Sequence, residues 1–270
     1  MIKYAANLTL LFTEWSFEDR FSAARDAGFE AVEFSFPRDM AAAEIAGTLR
    51  RTGLQQVLAT VPLRPGSKGL AAQSGKARDF REDFNLGLEY AVEGGSPLLH
   101  VLSGVVEQKN YAVSGGQFDD NMRWAIQEAA RHGVKVVIEA INQTSVPGYF
   151  IRTLAGAVSW TQRLEGLGLI LDLYHAAMER LDPLACLDLL LPQADHLQIA
   201  GYPGRHEPNI GNLNLARVLD SIDAHPYTGW VGCEYQPAIG TLEGIGWLDS
   251  FCGVQDASES RLLARLTALH

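Results

Sequence analysis

The chain has 270 residues, 47% of them hydrophobic, enough to bury a large core as one domain without the length that forces a second. A formal net charge of −10 argues against a basic face that neutralises phosphates, so no nucleic-acid partner is expected. Three cysteines, Cys186, Cys233 and Cys252, are odd in number and lack metal-type spacing, which fits a reducing, cytoplasmic setting better than a disulfide framework.

The N-terminal stretch MIKYAANLTLLFTEW is too short to span a bilayer and lacks a small-residue cleavage site, so no membrane anchor is expected. It contains the first strand, IKYAANL near residue 5. From there, short β-branched or apolar runs alternate with longer amphipathic segments, the pattern of repeated βα units around a parallel sheet. The first helical pattern, SFEDRFSAARDAG, places Ser16 and Asp19 at a capping-box-like spacing and Gly28 at its close. The next strands are EAVEFSF near 33 and LQQVLATV near 58. Val61 to Gly75 follows, with Pro62, Pro65, Gly66, Gly69 and Gly75, the composition of a loop that either lids the site or lies irregular in solvent. Then come PLLHVLS near 100, VKVVIEAI near 138, LGLILDL near 170, ADHLQIA near 197 and GWVGCEY near 232. Eight such units close a (β/α)8 barrel, so residues 1–270 are read as one α/β barrel domain. A weak repeat supports the count: Gly28 precedes Glu33, Gly133 precedes Glu139 and Gly229 precedes Glu234.

Four oxygen-bearing side chains end the last four strands: Glu139, Asp172, Gln198 and Glu234. A carboxylate in an apolar run is costly unless paired or bound to a cation, and barrels of this kind carry their chemistry at the C-terminal strand ends. The four donors are read as ligands of one divalent metal. All-oxygen ligation favours Mg²⁺ or Mn²⁺, with Zn²⁺ or Co²⁺ able to occupy such a site. His175, in Asp-x-x-His, can hydrogen-bond a ligand oxygen or bind a second ion, a substrate contact being the preferred role. In the loop GYPGRHEPNIG, Arg205 is the candidate clamp for a substrate carboxylate, because its planar fork donates two parallel hydrogen bonds. Glu207 in that loop and His100 at the end of strand four are further substrate-contact candidates, although adjacent loop charges usually face water and a lone strand histidine is usually core. Asn7, Glu33 and Asn142 also fall at strand ends, to shape the pocket or to satisfy loop backbone. Trp230, Tyr235 and GIGWLDSF read as packing around strand eight. Two glutamates on one metal suit proton transfer between adjacent carbons of an α-hydroxy carbonyl compound through an enediolate.

At these residues the chain resembles the hydroxypyruvate isomerase family, xylose isomerase-like TIM barrels related to the apurinic endonuclease type. The segments AANLTLLFTEWSFEDRF, AGFEAVEFSFP, VVIEAIN, LDLYHA, HLQIAGYPGRHEP and GWVGCEYQP carry the resemblance across nearly the whole chain. It implies that Glu139 and Glu234 are the paired acid and base and that both, with Asp172 and Gln198, hold the metal. RHEP and HVLSGVV are similar to the 2-oxo-tetronate isomerase branch, whereas hydroxypyruvate isomerases more often carry RGEP. The expected substrate is thus a small anionic hydroxy-oxo acid, and a homo-oligomer is compatible with the sequence. The chain departs from the family at Asn209 to Asn212, where a Gly-Glu pair is usual, and in a shortened loop from Thr60; both loops are expected to face the site. A tagatose- or psicose-type 3-epimerase would typically carry His in place of Gln198. An abasic-site endonuclease would need a histidine-rich zinc cluster and a less acidic surface. A non-catalytic sugar-acid-binding barrel would not need both glutamates.

Overall fold

The structure, a computed structural model, describes residues 2–252, the side chains of Phe251 and Cys252 excepted. The thiol of Cys252 and the last aromatic of GIGWLDSF therefore lie outside the described residues. Eight strands form, each within a run expected from its apolar pattern: β1 (Lys3–Asn7), β2 (Ala31–Glu33), β3 (Gln55–Thr60), β4 (Leu98–His100), β5 (Lys135–Glu139), β6 (Gly168–Asp172), β7 (His196–Ile199) and β8 (Trp230–Cys233). Successive strands pair in parallel and β1 pairs with β8, closing the barrel. The register sets Asn7 beside Glu33, Asp172 beside Gln198 and Gln198 beside Gly232, so these positions share one level at the C-terminal mouth.

Helices α1 (Asp19–Asp26), α2 (Ala42–Thr52), α3 (Ala77–Gly94), α4 (Tyr111–Ala130), α5 (Leu154–Arg163), α6 (Leu173–Met178), α7 (Pro183–Leu190) and α8 (Leu215–Ala224) connect the strands; α9 (Thr241–Gly244) and α10 (Trp247–Cys252) follow β8. On α8 the buried residues Leu215, Val218, Leu219 and Ile222 recur at helical spacing, one apolar stripe against the sheet. Inside the barrel, Val137 and Ile170 lie two positions before Glu139 and Asp172, hence on the same faces of their strands, and pack with Leu58 beneath them.

Local details follow the sequence with one revision. Ser16 Oγ accepts from the Asp19 N–H at 3.3 Å, and Gly28, at φ 90°, ends the first unit's helix. Trp247 Nε1 donates to the Tyr235 hydroxyl at 3.1 Å and meets Tyr4 edge-on, so this aromatic group is packing. The 61–75 loop is neither a free lid nor solvent-exposed irregularity. Its Ala72 N–H bonds the Ser103 carbonyl at 2.8 Å, and Ala71 and Ala72 are fully buried. Among the described residues, no helix is long and apolar enough to cross a membrane.

Candidate active site

The C-terminal strand ends open on a cavity of about 240 Å³ whose wall includes His100, Glu139, His175, Gln198, Arg205 and Glu234. Asp172 is buried beside it and caps α6, its Oδ1 accepting the Tyr174 N–H at 2.7 Å. The structure thus brings together seven of the eight residues singled out in the sequence.

Charge is unevenly distributed here. Arg205 Nη2 donates to Glu234 Oε2 at 2.6 Å and to Asp172 Oδ2 at 3.3 Å, and the guanidinium lies 4.8 Å from the Tyr174 ring centre. Arg205 thus bonds two carboxylates, and Glu139 feels its charge without a hydrogen bond to it. Burial, together with the charges of Glu234 and Asp172, raises the pKa of Glu139 well above the ordinary carboxylate range. Burial also pushes Glu234 up to about 8, against the opposing pull of Arg205. Two buried acceptors, Glu139 Oε1 and Gln198 Oε1, have no hydrogen-bond partner. Unpaired oxygens beside an excess of negative charge suit a hard divalent cation, so this donor set fits the metal that the sequence implies.

Glu139, Asp172 and His175 each offer a ligand atom within 4.8 Å of the others. The hydrogen bonds around His175 distinguish it from the two acids. Asn142 Oδ1 accepts the backbone N–H groups of Thr144 at 3.0 Å and Ser145 at 2.8 Å, which turns its Nδ2 toward His175. That Nδ2 stands 2.6 Å from His175 Nδ1, so Nδ1 accepts and the ring proton sits on Nε2. Nε2 points at Glu139 Oε1, 3.4 Å away, and Asp172 Oδ2, 3.6 Å away. Burial lowers the pKa of His175 to about 4, and the ring is neutral near pH 7. In this tautomer Nε2 donates a hydrogen bond and has no lone pair for a metal. His100 is likewise lowered to about 4 by burial, with Nε2 3.7 Å from Glu139 Oε2.

Some placements differ from expectation. Glu207 is not in the cavity wall: its carboxylate accepts the Ala238 N–H at 3.1 and 3.2 Å, bracing the loops after β7 and β8. The reason is local, since the Glu207 carboxylate is itself buried and needs donors, which the loop backbone supplies. Arg205 holds the protein's own carboxylates, the nearest uncompensated negative charge. Asn209 and Ile210 line a separate groove with Ala238 and Ile239. The sequence reading gave no role to His196, whose Nε2 lies 2.5 Å from Glu33 Oε2. Strand alternation offered a signal for it, because His196 and Gln198 share a face of β7.

A closed parallel barrel with titratable side chains gathered at its C-terminal mouth defines a barrel enzyme. The chain belongs to the xylose isomerase-like TIM barrel family, whose pattern matches residues 21–251. The 2-oxo-tetronate isomerase of Cupriavidus necator is 38% identical over 259 residues, 94% of this chain and 100% of that protein. The hydroxypyruvate isomerase of Escherichia coli is 30% identical over 93% of this chain and 100% of its own length. A solved structure described as an AP endonuclease, family 2, from Brucella melitensis superposes with a TM-score of 0.89 at 37% identity, over 93% of this chain and 99% of that one. A D-psicose 3-epimerase from Clostridium cellulolyticum, at 13% identity and a TM-score of 0.73 over 98% of this chain and 96% of that one, shares the fold. The resemblance read from the motifs agrees with these isomerase relatives.

Proposed function

We propose that the chain isomerises a short hydroxy-2-oxo acid, 2-oxo-tetronate or hydroxypyruvate, moving the carbonyl between C2 and C3. The observation that carries this reading is the pair of unpartnered buried oxygens, Glu139 Oε1 and Gln198 Oε1, beside carboxylates that Arg205 alone does not balance. Glu139, Asp172, Gln198 and Glu234 would hold a divalent cation, with Mg²⁺ or Mn²⁺ favoured because His175 donates and the set stays all-oxygen. Once bound, that cation supplies positive charge against the negative charge that develops as the C–H bond breaks.

Glu139 and Glu234 end or follow strands three places apart in the barrel, so they approach a bound substrate from different sides. One carboxylate takes the proton from C3 and the other delivers one to C2, while the hydroxyl proton passes from O3 to O2. His175 lines the same cavity with its Nε2–H aimed at Glu139 and Asp172, where it steadies the orientation of these two carboxylates. Arg38, an exposed cation of the cavity wall whose charge is not taken up by the strand-end carboxylates as that of Arg205 is, suits an anionic substrate better than a neutral sugar.

An activity screen tests the reading: both oxo acids beside fructose and tagatose, each with Mg²⁺, Mn²⁺, Co²⁺ or Zn²⁺, in D₂O. Turnover of an oxo acid, with deuterium at the carbon that gains the proton, is expected. Faster turnover of a neutral ketose would move the chain to the 3-epimerase class.

A further inference from the structure

We propose that Glu33 is a positioning residue that turns the Gln198 carboxamide so that its carbonyl oxygen, not its NH₂, faces the cavity and a divalent cation there. The inference rests on the metal reading above and deepens it, since it concerns which atom of Gln198 is offered.

Glu33 is 1% exposed and accepts from three donors. Asn7 Nδ2 at 2.9 Å and Gln198 Nε2 at 2.8 Å meet its Oε1, and His196 Nε2 meets its Oε2. An ionised carboxylate only accepts, so the half of the Gln198 amide facing Glu33 must be the NH₂. The carbonyl is then directed away from Glu33. Gln198 is 3% exposed, and its Oε1 is one of the buried acceptors without a partner. An acceptor left in that state is costly unless something binds it.

The barrel interior is shaped for this carboxylate. A Cβ at Gly232, the register partner of Gln198, would stand 2.5 Å from Glu33 Oε2, so β8 leaves open the space that Glu33 fills. His196, two residues before Gln198 on the same face of β7, fixes the far oxygen. Neighbours that orient a ligand typically contribute about 10- to 100-fold in metal affinity.

The test measures Mn²⁺ affinity of the metal-free protein by titration of free Mn²⁺ in electron paramagnetic resonance, with folding checked by circular dichroism. Glu33→Met keeps the volume and removes the acceptor, and should weaken Mn²⁺ binding roughly 10- to 100-fold. Asn7→Ala removes another donor of the same network yet leaves the Glu33 to Gln198 bond, and should weaken Mn²⁺ binding clearly less than Glu33→Met does. Folded Glu33→Met with wild-type affinity, or Asn7→Ala weakened as far as Glu33→Met, overturns the inference while leaving the metal reading intact. Wild-type protein that binds no divalent ion overturns both. Should Glu33→Met not fold, a crystal structure of the Mn²⁺-loaded wild type decides: an ion ligated by Gln198, with the other amide atom on Glu33, supports the inference. An ion bound without Gln198 overturns it.

Discussion

The β1–β4 half of the barrel and the β5–β8 half each bring a strand-end glutamate to one cavity, in similar sequence settings: Gly28 leads into Glu33, and Gly133 into Glu139. Burial alone would raise the pKa of Glu33, yet His196, Gln198 and Asn7 hold it below the ordinary carboxylate range. Burial raises Glu139 as well, and there Glu234 and Asp172 add to the rise. Burial of a carboxylate therefore does not mark a site by itself. The mark is an excess of acceptors over donors, and it falls in the β5–β8 half, which supplies Glu139, Asp172, Gln198 and Glu234.

The largest expected effect breaks the comparison at its chemical end. Glu139→Gln or Glu234→Gln should lower kcat by roughly 10²- to 10⁴-fold with little change in KM, the pattern of a lost general acid or base. Steady-state kinetics on the preferred oxo acid check it, and near-normal turnover in both variants would remove the pair from the proton transfer.

Next in size is a stability contrast between the two glutamates in metal-free protein. Glu33→Met strands the donors of His196, Asn7 and Gln198, and should cost about 3–5 kcal/mol, the usual penalty for breaking a buried pair from one side. Glu139→Met removes a carboxylate whose neighbours are mostly like charges, and should leave stability at or above wild type. Chemical denaturation of both variants measures the contrast, and equal losses would mean that the two halves do not differ in the way their hydrogen bonds imply.

Much of this barrel was legible in the sequence because its signals are local. Each strand lies in a short, largely apolar run, and the four candidate ligands are conspicuous because carboxylates and an amide are costly at the ends of such runs. Pairing across the barrel was not legible. His196 and Glu33 are 163 residues apart, and no local pattern announces which inward side chains will meet. The same holds for Asn142 and His175, whose contact sets the histidine tautomer. Glu207 shows the converse error: a charge in the loop that carries Arg205 looked functional, while its partner is a backbone N–H in the next loop.

Arg205 joins strand-end groups of the β5–β8 half, and replacing it sharpens the comparison with a smaller effect. A lysine has no second nitrogen to donate to the Glu234 carbonyl as Arg205 Nε does at 3.3 Å, and no planar group to lie over Tyr174, so Arg205→Lys should lower kcat/KM roughly tenfold or more, given about 1.5–3 kcal/mol for a charged hydrogen bond. Unchanged kcat/KM would show that a point charge suffices there.

The smallest effect lies back in the β1–β4 half, at Arg38 on the loop after β2. It lines the same cavity as Arg205, but its side chain is exposed and faces solvent ions as well as substrate. Exposed ion pairs contribute about 0.2–1 kcal/mol, so Arg38→Ala should raise KM for the oxo acid by no more than about fivefold and leave kcat nearly unchanged. Because screening acts on exposed charges first, the difference from wild type should shrink as ionic strength rises, whereas the Arg205→Lys defect, set by partly buried geometry, should persist. Kinetics at low and high salt separate the two arginines. A defect in Arg38→Ala that salt leaves untouched would mean that this residue grips the substrate as closely as Arg205 grips Glu234, and that the β1–β4 half carries more of the recognition than its satisfied hydrogen bonds suggest.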